Sequence, residues 1–207
     1  MSGRATALQL AYKEMWRHIP GHPFLVAAGD GSLTPTAFGR WLVEDHFFVV
    51  GFRRFLGRLV ALAPDEAARD VLSSAFAPLQ AELELFRREA VARELRLDDE
   101  PGPMTLGYTS YLPAALDDGY DVALAVLYGA EKAYFDGWSA VRSRVTPASP
   151  YWPFIDNWSS PQFGAWVDTV ADLLGVGEPT PAQSVAFGRV VRFELRFWSA
   201  VHFGEVW

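Results

Sequence analysis

Cysteine does not occur in the 207 residues of this chain. That absence excludes disulfides, thiolate-held metals and any cysteine nucleophile. Alternating segments rich in Val, Ile and Thr are missing too, which leaves β-sheet without its usual sequence pattern. No apolar run approaches the ~20 residues that a bilayer-spanning helix needs. The first residues lack a charged start followed by a long apolar stretch, so a cytoplasmic protein with no membrane partner is expected. Positive charge is in deficit, with a formal net charge of -7 and no basic cluster beyond the pairs Arg53-Arg54 and Arg87-Arg88. A surface of that sign has no general grip on phosphate backbones, so nucleic acid is not an expected partner. Neither a Gly-rich phosphate loop nor a Gly-x-Ser-x-Gly elbow is present. Histidine is scarce, and none of His18, His22, His46 and His202 follows a Glu by three positions. The Glu-x-x-His pattern of bundle di-iron sites is therefore missing, and neither a metal nor a cofactor is expected.

What remains is apolar, aromatic and helical. Half of the residues are hydrophobic and 14% are aromatic, enough for one sizeable core. Apolar positions recur at helical spacing nearly throughout, predicting helices over 4–18, 34–61, 65–96, 104–116, 120–145, 161–174 and 180–204, with a short one within 22–29. Thr34-Pro35 and Thr180-Pro181 place a capping hydroxyl and a first-turn proline at two helix starts. "GDGS" from Gly29, "DDEPGP" from Asp98 and "VTPASPYWP" from Val145 read as breaks. With no repeat and no linker, the expectation is one all-α domain over 1–207.

Three acids stand on three apolar stripes. Asp45 lies among Phe38, Trp41, Leu42, Phe48, Val49, Phe52 and Leu56. Glu131 lies among Leu124, Leu127, Tyr128, Tyr134, Phe135 and Trp138, and Glu194 among Phe187, Val190, Val191, Phe197, Trp198 and Val201. One such acid is ordinarily paired with an Arg, a Tyr or a backbone group. Three together suggest a shared polar interior, because a desolvated carboxylate is costly unless paired or protonated. Arg189, Arg192 and Arg196 share the helix of Glu194 but point mostly to other faces, while Tyr108, Tyr111, Tyr128 and Tyr134 offer hydroxyls. Aromatic rings left on outer faces, including Trp16, Trp152, Trp166 and Trp207, point to a homodimer or homotetramer.

The stretch "HPFLVAAGDGSLTPTAFGRWLVEDHFFVVGFRRF" from His22 resembles the signature of the TenA family of the haem-oxygenase-like superfamily. "YTSYL" at Tyr108, the helix around Glu131, "WPFIDNWSSPQF" and "RFELRFW" follow in the family's order, so the resemblance covers nearly the whole chain. It implies a haem-oxygenase-like helical bundle, often dimeric or tetrameric, and an aminopyrimidine aminohydrolase (thiaminase II) serving thiamin salvage. By position, Asp45 is similar to the acid that holds the amino group and ring nitrogen of a pyrimidine. Tyr108 resembles a pocket tyrosine and Glu194 the acid/base glutamate, and Phe48, Tyr134 and Trp158 complete the expected ligand-binding set.

The departures from the family pattern are specific. Its best-known branch uses a cysteine nucleophile, and Gly129 stands at or near that position. The resemblance then implies carboxylate chemistry, with Glu131 suited to part of the work. Phe48 and Trp158 replace two expected tyrosines, which makes the pocket less polar. The expectation is a small heteroaromatic ligand, such as an aminopyrimidine, attended by Glu194 and Glu131 as catalytic groups. Two other readings are a TenA-like binding or regulatory protein without turnover, and a di-iron or cofactor-free oxidase on the same fold.

Overall fold

A computed structural model of the chain describes residues 3–205 and 207. Its helices in chain order are α1 (Arg4–Ala11), α2 (Lys13–Trp16), α3 (Pro23–Asp30), α4 (Pro35–Leu62), α5 (Glu66–Ser73), α6 (Phe76–Ala92), α7 (Pro103–Asp117), α8 (Tyr120–Arg142), α9 (Trp152–Ser159), α10 (Pro161–Leu174) and α11 (Pro181–Phe203). Among the described residues the one extended pairing is an isolated bridge between Gly3 and Val176. No helix among them is long and apolar enough to cross a membrane.

The helices divide into two compact units. One comprises Met1–Leu33 with Asp121–Arg196, the other Thr34–Tyr120 with Phe197–Trp207. In the second, α4 is the long central helix. Thr34 caps it by accepting the N–H of Ala37 at 3.2 Å, with Pro35 in the first turn. The stripe read from sequence is the buried one: Trp41, Leu42 and Leu56 are all fully enclosed, and α5, α6 and α7 pack around α4. Both carboxylate oxygens of Glu44 accept the N–H of Gly102 at 3.1 Å, and Glu205 accepts that of Met104 at 2.7 Å. Two acids thus meet the positive end of α7, where free N–H groups need partners. Arg40 does the opposite at the end of α11, donating to the carbonyls of Val201 and His202 at 3.0 and 2.7 Å.

In the first unit α8 is the inner helix, with every residue from Val122 to Ala130 buried. Its start is tied to α11 by Gln183. That side chain accepts the N–H of Thr180 at 2.8 Å, closing a capping box, and donates to the carbonyl of Asp121 at 3.2 Å. Farther along, α11 lies against the bare backbone of Gly129, where an added Cβ would stand 3.0 Å from Val190 and 3.2 Å from Phe187.

The structure corrects the helix boundaries in three places. The expected helix over 4–18 breaks at Tyr12, whose backbone is non-helical (φ -115, ψ 16). The Tyr12 ring lies on the backbone of Gly188 and 5.9 Å from the Phe187 ring, so a tertiary contact outweighs local propensity. The expected helix over 65–96 divides at Ser74 and Ala75. Pro78 explains the division, because restarting at Phe76 puts the proline in the first turn, where its missing N–H is no loss. That second piece also stops at Ala92, and Glu94 turns left-handed with φ 56. Finally, α9 occupies part of a stretch read as a break; Pro153 lies in its first turn and starts a helix there.

Candidate functional site

Asp45 is completely buried on α4. One turn on, the ring of Phe48 meets that of Tyr108, from α7, with centroids 4.8 Å apart and planes tilted by 46°. Phe197, from the last turns of α11, lies 6.2 Å from Phe48, and Phe52 stacks on it at 5.7 Å. Asp45, Phe48 and Tyr108 are therefore gathered in one unit, with a carboxylate one helical turn from a group of tilted aromatic rings. Such rings offer flat faces to a heteroaromatic ligand, and an ionised carboxylate offers only acceptors. His46, the next residue along, faces α6 and meets Phe86 edge-on at 6.2 Å. Burial, with Arg87 adding repulsion, holds its imidazole below the usual histidine range, so it stays neutral.

In the other unit, Glu194 is also completely buried. It continues the face of α11 that carries Phe187 and Val190, the two residues seated on Gly129. Arg189, Arg192 and Arg196 are exposed, as the helical spacing predicts. Glu131 sits at the margin of its stripe, half-buried. Its Oε1 accepts the indole N–H of Trp166 at 2.9 Å. Tyr134 and Trp158 come together at 5.5 Å with near-perpendicular rings, and Trp158 stacks between Trp138 at 5.9 Å and Phe154 at 6.0 Å. Burial, with Asp136 and Asp168 nearby, pushes the Tyr128 phenol well above its usual range, so that hydroxyl remains a donor. Among the described residues, no three His, Asp or Glu side chains are grouped to hold a metal ion.

Three side chains take places that helical spacing does not predict. Trp16, expected on an outer face, is buried: it stacks on Phe187 at 5.4 Å and donates to Asp136 at 2.8 Å. Trp166, expected outside as well, is half-buried with Glu131 as its acceptor. Phe154 stacks on Trp158 only because α9 is helical; Pro153 near the start of that segment was the available signal. Gly129 leaves no vacant slot, since Val190 and Phe187 fill the space a side chain would use.

An all-α chain with buried acids beside aromatic clusters is the class of protein seen here, and comparison with known proteins narrows it. Residues 10–202 match the TENA/THI-4/PQQC family, and the match runs through both compact units. The chain belongs to that family. It is 24% identical to the aminopyrimidine aminohydrolase of Halalkalibacterium halodurans, over 98% of this chain and 97% of that one. It is 22% identical to a probable bifunctional TENA-E protein of Glycine max, covering 86% and 84%. Among solved structures, a TenA homologue from Pyrococcus furiosus superimposes with a TM-score of 0.88 at 30% identity, covering 94% of this chain and 97% of that one. A TenA homologue from P. horikoshii gives 0.89 at 18% identity over 99% and 100%. The fold is thus the all-α, haem-oxygenase-like one.

Proposed function

We propose that this protein is an aminopyrimidine aminohydrolase of the thiaminase II type, serving thiamin salvage with carboxylates in place of a cysteine. The complete burial of Asp45 one turn from the Phe48–Tyr108 ring pair is the observation that carries this reading. An ionised carboxylate offers only acceptors and the nearby rings offer flat faces, and an amine-bearing heteroaromatic matches both with its N–H donors and its own flat ring. The curated relatives named as aminopyrimidine aminohydrolases support the same substrate class.

In the reaction an aminomethyl C–N bond breaks and the oxygen of water takes the amine's place. Asp45 accepts hydrogen bonds from the ring amine and fixes the pyrimidine. Glu194, fully buried on α11, gives its proton to the leaving amine, which departs as ammonia. Glu131, only half-buried and holding an N–H donor, takes the proton from the attacking water. Tyr108, Phe48, Tyr134 and Trp158 supply ligand contacts. The active form is a homodimer or homotetramer.

Incubation of the purified protein with 4-amino-5-aminomethyl-2-methylpyrimidine should release ammonia. Asp45→Asn should weaken substrate binding, and Glu194→Gln should lower kcat by about 10²-fold, within the range for losing a general acid. Wild-type protein that releases no ammonia from this compound or its formylated relatives would overturn the assignment.

A further inference from the structure

Trp166 faces a carboxylate although nothing in its spacing reserves it for one. It reaches Glu131 because α10 docks on α8 at a particular place. Ser160 caps α10 by accepting the N–H of Phe163 at 3.1 Å. Phe163 then meets the ring of Phe135 at 6.3 Å. Gly164 comes so close that an added Cβ would stand 3.0 Å from the same ring. The buried stripe Val167, Val170 and Leu174 holds the rest of α10 down. The two helices run antiparallel here, so Trp166 falls one turn back along α8 from Phe135, at Glu131.

The chemistry of this pair is one-sided. An indole N–H can only donate, so Oε1 of Glu131 must accept. Donation to a carboxylate stabilises its charged form and fixes the direction of its lone pairs. We propose that Trp166 is a positioning residue for Glu131: its indole N–H aims the carboxylate and favours its ionised state, which gives Glu131 the role of base and leaves that of acid to Glu194. This rests on the hydrolase reading for its catalytic consequence, though not for the hydrogen bond itself. The titratable groups on the packed elements include Tyr128, Tyr134 and the Lys132–Asp136 pair on α8, Asp168 and Asp172 on α10, and Glu194 with the exposed Arg189, Arg192 and Arg196 on α11. All of them remain when Trp166 is changed, so a substitution there isolates the indole.

Trp166→Phe keeps a ring on α10 and deletes the donor. The carboxyl carbon of Glu131, followed by 13C NMR in the full-length protein and identified by its loss in Glu131→Gln, should titrate about one pH unit higher in the variant. The acid limb of kcat/KM for ammonia release should move up by the same amount, because the base must be ionised to act. Near that limb kcat should fall roughly tenfold, with KM changed less. In wild-type protein the indole N–H resonance of Trp166 should follow the Glu131 titration and lose that response in Glu131→Gln, a readout available even if the variant folds poorly. A Trp166 resonance indifferent both to pH and to Glu131→Gln would overturn the proposal. So would a Trp166→Phe protein that melts earlier while its Glu131 midpoint stays put. Wild-type protein inactive on every aminopyrimidine would sink the hydrolase reading alone, and the two NMR titrations would still decide whether the indole sets the state of Glu131.

Discussion

Gly129 shows how much one missing side chain can determine. A Cβ there would press on Val190 and Phe187, both fully buried, with the nearest atom 3.0 Å away. Val190 is β-branched and has little rotamer freedom in a helix, so it cannot easily swing aside. The chain therefore has no room, as packed, for a cysteine at this point. Gly129→Cys should destabilise the fold by about 1–3 kcal/mol, the usual cost of overpacking. The double variant Gly129→Cys with Val190→Ala should recover part of that loss, because the two sites share one contact. Urea unfolding of the two single variants and the pair measures this; strict additivity would show that α11 does not rest on Gly129. Asp45 teaches the complementary lesson. Its burial was legible from helical spacing alone, since Trp41 and Phe48 on either side can only face a core. The rings that meet Phe48 one turn on, Tyr108 and Phe197, were not, because they arrive from other helices.

At the scale of the element, caps decide where these helices start and which neighbours they keep. Thr180 and Gln183 form a capping box that the sequence pattern announces in part, through Thr180-Pro181. The third bond, from Gln183 to the carbonyl of Asp121, could not be read from spacing because it crosses 62 positions. Gln183 itself is almost completely buried, while its partners Thr180 and Asp121 lie at the exposed starts of the two helices. Gln183→Leu removes the bonds to the Thr180 N–H and the Asp121 carbonyl and should cost about 0.5–1.5 kcal/mol for each bond lost. A melting curve superimposable on wild type would mean that the tie between α8 and α11 carries no stability. The α5–α6 break illustrates the same scale. Apolar periodicity runs straight across Ser74, while Pro78 moves the helix start, and one imino acid outweighs a continuous stripe.

For the whole molecule, the expected assembly rests on apolar surface. Trp16 no longer contributes, since it is buried, and Trp152 is half-covered with Arg142 over its ring at 4.8 Å. Trp207 at 74% exposure and Phe203 at 70% are the large rings that remain open near the C-terminus. Large exposed rings of this kind are typical of contact surfaces. Light scattering should therefore give at least twice the chain mass of 23.0 kDa, and Phe203→Ser with Trp207→Ser should lower it. The single-chain mass over a hundredfold concentration range would refute the assembly.

Period and punctuation by themselves determined the class of this fold. Apolar residues at helical spacing have to be buried, and the Thr-Pro pairs and Gly breaks mark where the chain turns, so an all-α architecture follows from local physics. The same spacing determined that Asp45 and Glu194 would be enclosed, because their flanking residues leave them no other direction. Only the tertiary structure decided what each acid meets. Trp166 pairs with Glu131 because α10 docks where Gly164 admits Phe135, and Val190 fills the place beside Gly129 because α11 approaches closely there. A helix specifies which of its own residues share a face, whereas the face opposite is chosen by residues far away in the chain.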